Sequence, residues 1–582
     1  MKQLSNVALS LLVGLVTVPM IGKSAEVLPE SDAAYHQRMA WFTDAKFGLF
    51  IHYGVYSTLG GEWKGEPVPR YAEWIQRWGK ITPEEYIPLA ADFSPDALDA
   101  DQWVKAAKDA GMKYMVITTK HHEGFCLWDS ALTEYDLGEA TTFDRDILGE
   151  LKAACDKYGI AFGTYYSIID WHHPSQRAEQ ALNRTPMRDK AGYVKYMKGQ
   201  LKELIDRYDP AIMWFDGDWT DWWTMDDGAD LYNYLRALSP DMIINNRVAK
   251  RKEFKKDFGT PENFTPGAAL DHNWEACWTV NHSWGFKKSD TNWKSNEVLV
   301  QKLIDIVVKG GNLLLNVGPK ADGSWPDAAF GQLGAMGGWI AQCPDAIYEA
   351  EFVAAAEPAW GRIAQRRGSD EQNGELFAYV FQWPENGKLK VRGVTAGRIQ
   401  ACTYDGKALP TKTEGTDTLI DLSGVKPADY ATVLRLQYAD GLNLSNVSYD
   451  LELQGNELIL KADEAALSGS GLKLDGQAAV GWKQASDQAK WTMNIPAPGK
   501  FSVKLLYGYE FRKPISVTLR VGGQELKAEL PAKGSPENLK IMDIGEIELN
   551  DVGDAVCTLQ FGRPAAEARL SLKTVYFVPV AD

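Results

Sequence analysis

Residues 211 to 217 read Ala211-Ile212-Met213-Trp214-Phe215-Asp216-Gly217, an apolar run that stops on a carboxylate and a glycine. Without polar alternation, such a run reads as a strand buried on both faces, the habit of parallel sheets covered by helices. Further runs of this kind lie at Phe47 to Tyr53, Tyr114 to Thr119, Ala161 to Ser167, Met242 to Asn245 and Asn312 to Val317. Between them the apolar spacing becomes helical. One such stretch opens near Ile147 and places Leu148, Leu151, Cys155 and Tyr158 on one face before Gly159. Another carries Tyr193, Met197, Leu201, Leu204 and Tyr208 before Pro210, and a third carries Leu299, Leu303, Ile306 and Val307 before Gly310-Gly311. Strands and helices alternating from Trp41 to Tyr348 predict an α/β fold, a (β/α)8-like barrel rather than an open sheet.

After Tyr348 the helical period fades, and short strand-like runs alternate with Gly, Asp, Asn and Pro turns. We expect a barrel over residues 26–352, a β-sandwich over 353–441 and a second, C-terminal β-sandwich over 442–582. In the last of these, Trp482, Trp491, Tyr507 and Tyr509 are candidates for a carbohydrate-binding platform, with core packing as the competing explanation.

The chain's 582 residues exceed what one core holds. Lys2 followed by the apolar stretch Val7 to Ile21 and the small residues Gly22, Ser24 and Ala25 reads as a secretory signal peptide over 1–25. The expectation is a secreted or periplasmic protein with no membrane insertion after signal cleavage. A net charge of −16 repels nucleic acid and anionic membranes, which removes both as partners. The six cysteines lack Cys-x-x-Cys spacing, so no zinc site is indicated, while one or two disulfides stay open. Twenty-one Trp and 24 Tyr exceed the needs of a core, and sugars present C–H faces that stack on such rings.

In a parallel barrel the reactive side chains sit at the C-terminal strand ends. Here those ends collect His52-Tyr53-Gly54, Lys120-His121-His122-Glu123-Gly124, Tyr165-Tyr166-Ser167, Trp214-Phe215-Asp216-Gly217 and Asn245-Asn246-Arg247. Metal binding is disfavoured, because adjacent histidines on an extended segment diverge and no His-Glu-x-x-His helix is present. Asp216 is either a turn-forming Asp before Gly or the nucleophile of a glycosidase, and the second reading requires another carboxylate about 5 Å away.

As an ordered set, the motifs Lys46 to Gly54, Glu62-Trp63, Lys120 to Phe125, Tyr166-Ser167, Trp214 to Gly217, Trp274-Glu275, Ser283 to Phe286 and Gly311 to Pro319 resemble glycoside hydrolase family 29, the α-L-fucosidases. The resemblance implies retaining hydrolysis of terminal α-L-fucosyl residues from an oligosaccharide or polysaccharide, with no cofactor. It implies Asp216 as nucleophile and His52, Glu62, Trp63, His121, His122, Tyr166, Trp214, Arg247 and Trp284 as substrate-binding residues. For the proton donor, Glu262 in Asp257-Phe258-Gly259-Thr260-Pro261-Glu262 ranks first, and Glu275 after Trp274 ranks second. Competing readings are a transfucosidase, a glycosidase for a related sugar such as α-L-galactose, and a non-catalytic sugar-binding protein. The Trp-rich stretches Gly60 to Trp78 and Trp219 to Asp230 are candidate acceptor subsites, and the oligomeric state stays open.

Overall fold

In the computed structural model of the chain the run at 211–217 becomes the strand Ile212–Asp216, and it lies fourth in a parallel sheet. Phe47–Ile51, Tyr114–Lys120 and Ala161–Ser167 precede it; Ile243–Ile244, Glu275–Thr279 and Asn312–Val317 follow. The last strand pairs in parallel with the first, from Phe47 opposite Leu313 to Ile51 opposite Val317. Segment 258–262 fills the remaining gap, bridging Asn245 to Phe258 on one side and Gly259 to Trp274 and Glu262 to Cys277 on the other. The ring is therefore a closed (β/α)8 barrel. Residues 27–176, 187–266, 269–355, 358, 360–384, 386–444, 458–495, 497–511, 513–532, 539–565 and 568–580 are described. The expected signal peptide and a short run at Leu451 to Leu453 lie outside them.

Sequence patterning does not disclose segment 258–262, because Gly259 and Pro261 are strand breakers. It pairs through what it retains: the Gly259 N–H donates to the Asn273 carbonyl, and the Pro261 carbonyl accepts the Cys277 N–H at 3.0 Å. The outer helices begin where short polar residues cap them. Asp99, Asp146, Asp189, Thr224 and Ser295 each accept the backbone N–H three residues on.

Alternation along each strand divides the barrel residues into two sets. Phe50, Tyr114, Val116, Tyr165, Ile212, Trp214 and Leu314 pack together inside. Leu49, Ile51, Met115, Ile117, Tyr166, Met213 and Phe215 face the helices. Helix Asp32–Ala45 closes the N-terminal end, where Phe42 packs 4.6 Å from Phe258 and 5.7 Å from Tyr114. Only the C-terminal end is left for a site.

Two antiparallel assemblies follow. Strand Thr432–Leu444 runs on past residue 441, with Leu444 paired to Val394, so the expected boundary at 441 falls inside a strand. At the other boundary, Ala350–Glu351 already pairs with Gln365 and Arg366 of the second sheet. That sheet packs Phe377, Tyr379 and Val433 into the barrel's core cluster, and Arg362 donates to Asp305 at 2.6 Å. In the last assembly Trp482, Trp491, Tyr507 and Tyr509 are all buried in the core between the sheets, so of the two readings these four follow core packing and form no sugar platform. Three of these four donate to backbone carbonyls, Trp482 to Ala479 at 2.9 Å, Trp491 to Lys461 at 2.7 Å and Tyr507 to Pro531 at 2.9 Å. All six cysteines are free thiols. Among the described residues no helix is long and apolar enough to cross a membrane.

Candidate active site

Ile212, Trp214 and Asp216 share the inner parity of their strand, so the chain delivers the Asp216 carboxylate into the open end of the barrel. Gly217 takes φ +95°, and a Cβ there would lie 2.9 Å from Ile169, so the sharp exit after Asp216 requires glycine. Around Asp216 lies a cavity of about 280 Å³ walled by His52, Glu73, Trp74, His121, Tyr165, Trp214, Trp219, Arg247, Arg251, Glu262, Cys277 and Trp284, with Phe50, Tyr71 and Trp78 completing it.

Arg247 organises the charges. Its Nη1 donates to Asp216 Oδ1 at 2.7 Å and its Nη2 to Glu262 Oε2 at 3.1 Å, while Nε is held by the Thr260 hydroxyl at 2.7 Å. The guanidinium also lies 4.6 Å over the Trp214 ring. A second guanidinium, Arg251, donates to the same Oδ1 at 3.1 Å. Burial alone would raise the Asp216 carboxyl, but Arg247 and Arg251 outweigh it and hold the group at about 2. Both cations load Oδ1. Oδ2 keeps only the weak contacts of the Tyr165 hydroxyl at 3.4 Å and His122 Nε2 at 3.8 Å, so it is the less engaged of the two carboxylate oxygens.

The histidines are neutral acceptors. Asn316 Nδ2 donates to the Trp284 carbonyl at 2.7 Å, so its Oδ1 accepts from His52 Nδ1 at 2.6 Å and leaves His52 Nε2 with a lone pair. Ser167 donates its hydroxyl to Ile169 O at 2.6 Å and so accepts from His122 Nδ1, again leaving Nε2 as acceptor. Burial pushes His52 down to about 3 and His122 to about 4, and it lowers His121 well below the usual range. An uncharged acceptor inside an aromatic wall suits a sugar hydroxyl. No group of three or more His, Cys, Asp or Glu among the described residues could hold a metal ion.

The family model described as Alpha-L-fucosidase matches residues 22–343. The chain belongs to the α-L-fucosidase family. The tissue α-L-fucosidase of Mus musculus is 30% identical over 440 residues, covering 70% of this chain and 92% of its own. A glycoside hydrolase family 29 α-L-fucosidase from Bacteroides thetaiotaomicron, solved as a trapped covalent intermediate with 2-fluoro-fucosyl fluoride, is 29% identical with TM-score 0.62. That likeness covers 71% of this chain and 97% of the other. The α-L-fucosidase from Vibrio sp. strain EJY3, with TM-score 0.69 over 93% of this chain and 98% of its own, shares the fold at 24% identity.

Within this α-L-fucosidase barrel, four of the expected site residues lie elsewhere. Tyr166 has the outer parity; its hydroxyl donates to Gln200 at 2.7 Å and accepts from Lys120 at 2.8 Å, while Tyr165 takes the pocket position. Glu62 and Trp63 sit on a small surface hairpin, Glu62 paired with Lys288 at 3.1 Å and Trp63 beside the Lys64 ammonium. The same dipeptide recurs as Glu73-Trp74, and this copy reaches the cavity because Glu73 Oε2 accepts the Gly285 N–H at 2.9 Å, tying its loop to the Trp284 loop. Burial raises the Glu73 carboxyl to about 7. Glu275 begins its strand, so it lies at the floor, fully buried between the Tyr114 hydroxyl at 2.5 Å and Trp214 Nε1 at 2.9 Å. Burial raises its carboxyl to about 7, yet it lines no part of the cavity. Arg251 is a site residue that sequence patterning does not single out, whereas Tyr165, Glu73, Trp74 and Trp219 lie in the strand-end and Trp-rich stretches it flags without ranking their members. The further signal for Glu73 and Trp74 is a repeated Glu-Trp.

Proposed function

We propose that the chain is a retaining α-L-fucosidase that removes terminal α-L-fucosyl residues from an exported or extracellular glycan, with the signal-like N-terminus as its route out of the cytoplasm. The observation that carries the reading is the single Arg247 guanidinium bonded to both Asp216 and Glu262. Two carboxylates on one guanidinium sit close enough to act on the same glycosidic bond, as double displacement requires.

Asp216, kept ionised by Arg247 and Arg251, attacks the anomeric carbon through Oδ2. Glu262, half-buried at the rim, protonates the departing oxygen and then removes a proton from the water that hydrolyses the fucosyl-enzyme. His52, His121, His122 and Glu73 bind hydroxyls. Phe50, Trp214 and Trp284 supply apolar contact for the C6 methyl, worth about 0.8 kcal/mol for one buried methyl.

The test is covalent trapping. Incubation with 2-fluoro-fucosyl fluoride and peptide mass mapping should place one fucosyl adduct on the peptide containing Asp216, and proton NMR should show α-fucose as the first product. A β-fucose first product, or a label on another carboxylate, would overturn the assignment.

A further inference from the structure

The cavity wall continues outward into an aromatic shelf. Trp74 stacks on Trp78 at 5.8 Å and 20° and on Trp219 at 6.3 Å and 27°, while Tyr71 and Trp219 are exposed at the mouth. Parallel indoles beyond the nucleophile suit the flat face of the sugar that leaves. The charge around the shelf is unusual for a chain of net charge −16. The guanidiniums of Arg70 and Arg77 both lie over the Trp78 ring, at 4.4 and 5.2 Å. Neither guanidinium makes a hydrogen bond or ion pair with a described residue, and Arg77 Nε and Trp78 Nε1 are buried donors with no acceptor. Lys287 stands beside them. Its ammonium donates only to the carbonyls of Val68 at 2.8 Å and Arg70 at 2.6 Å, with no carboxylate partner among the described residues.

Three neighbouring cations are matched: Lys288 with Glu62, Lys64 with Glu85, and Arg251 with Asp216 and Asp218. Three cations without a carboxylate partner among the described residues therefore flank the shelf beside Trp78, and nothing there supplies them an acceptor of opposite charge. An anion supplies one, and a hydrogen bond between charged partners is roughly twice as strong as a neutral one. We propose that the leaving-group subsite formed by Arg70, Trp78, Arg77 and Lys287 recognises an anionic substituent, sulfate or carboxylate, on the sugar from which fucose is cleaved. The inference rests on the hydrolase reading above and narrows its substrate class.

The experiment compares four fucosides in low salt: the 4-nitrophenyl glycoside, and disaccharides whose acceptor sugar is neutral, sulfated or a uronic acid. The expected result is a kcat/KM at least about 10-fold higher for an anionic acceptor than for the neutral one, collapsing toward unity in roughly 0.5 M salt. The stronger of the two anionic arms identifies the substituent. In the R70M/R77M variant the preference should fall to within about 2-fold, with the 4-nitrophenyl rate unchanged. Equal rates on all three disaccharides in the wild-type protein would overturn the proposal, as would a preference that survives the double substitution. Calorimetry with the free acceptor sugars measures the subsite independently of turnover: anionic sugars bound no tighter than neutral ones also refute it. Loss of all fucoside cleavage in the wild-type protein would instead sink the hydrolase reading.

Discussion

The two ends of the barrel each hold buried carboxylates, and they use them in opposite ways. At the C-terminal mouth Asp216 meets Arg247 and Arg251, which keep it ionised. At the N-terminal floor Glu275 meets only a phenol and an indole, and burial raises it to about 7. Burial is common to both; the difference is the charge of the partner. A raised carboxyl pKa is therefore no pointer to the proton donor here, since the floor glutamate acquires it from packing. Function follows the end of the strand on which a carboxylate sits, and substitutions at the mouth should change rates while those at the floor change stability.

The largest expected effect is at the proposed nucleophile. Asp216→Ala should lower kcat on a 4-nitrophenyl fucoside by about 10⁴-fold or more, with folding retained by circular dichroism. Added azide should restore turnover as the β-fucosyl azide, because a small anion fits the vacated space. Activity within a few-fold of wild type would break the division between mouth and floor.

Glu262→Ala should cost about 10²-fold on a poor leaving group and far less on a dinitrophenolate, which departs unprotonated. Azide should here give the retained α-fucosyl azide. If Glu275→Ala shows that signature and Glu262→Ala slows both leaving groups alike, the floor carboxylate is the donor and the comparison fails.

Tyr165 and Tyr166 test the same division side by side. Tyr165→Phe removes a donor to the nucleophile and should lower kcat/KM several-fold with little change in unfolding. Tyr166→Phe should leave kcat/KM intact and cost about 1 kcal/mol in denaturant unfolding, because Gln200 and Lys120 lose a buried partner.

The smallest effect sharpens the floor. Glu275 titrates near 4.5 when unfolded and near 7 when folded, so its contribution to stability is complete below pH 4.5 and is lost as pH rises to about 7. Glu275→Gln removes that loss. Its Tm relative to wild type should rise by about 2 to 4 °C between roughly pH 5 and pH 8, with activity retained. A pH-independent difference would show that Glu275 does not titrate there.

The site is legible where chain order alone decides position. Asp216 ends an apolar run, His121 and His122 follow the second run, and Arg247 follows the fifth, so each had to emerge at the mouth of a parallel barrel. Glu262 ranks first on its Asp-Phe and Thr-Pro-Glu context, although the strand that carries it is not recognisable from patterning. Tyr165 and Tyr166 cannot be separated in this way. Both faces of a parallel strand are apolar, so the sequence sets the period of 2 and leaves its phase open.

By itself, then, the sequence determined the barrel, the β-rich regions after it and the family, because hydrophobic period and motif order are properties of the chain. Tertiary structure decided the rest. Closure through 258–262 depends on backbone pairing that Gly259 and Pro261 conceal. The choice of Glu73-Trp74 over Glu62-Trp63 depends on a hydrogen bond to Gly285, more than two hundred residues away. Whether Trp491 faces sugar or core, and whether Arg70 finds a carboxylate, is fixed only when distant segments come together, since burial and charge pairing are relations between segments and have no value on one segment alone.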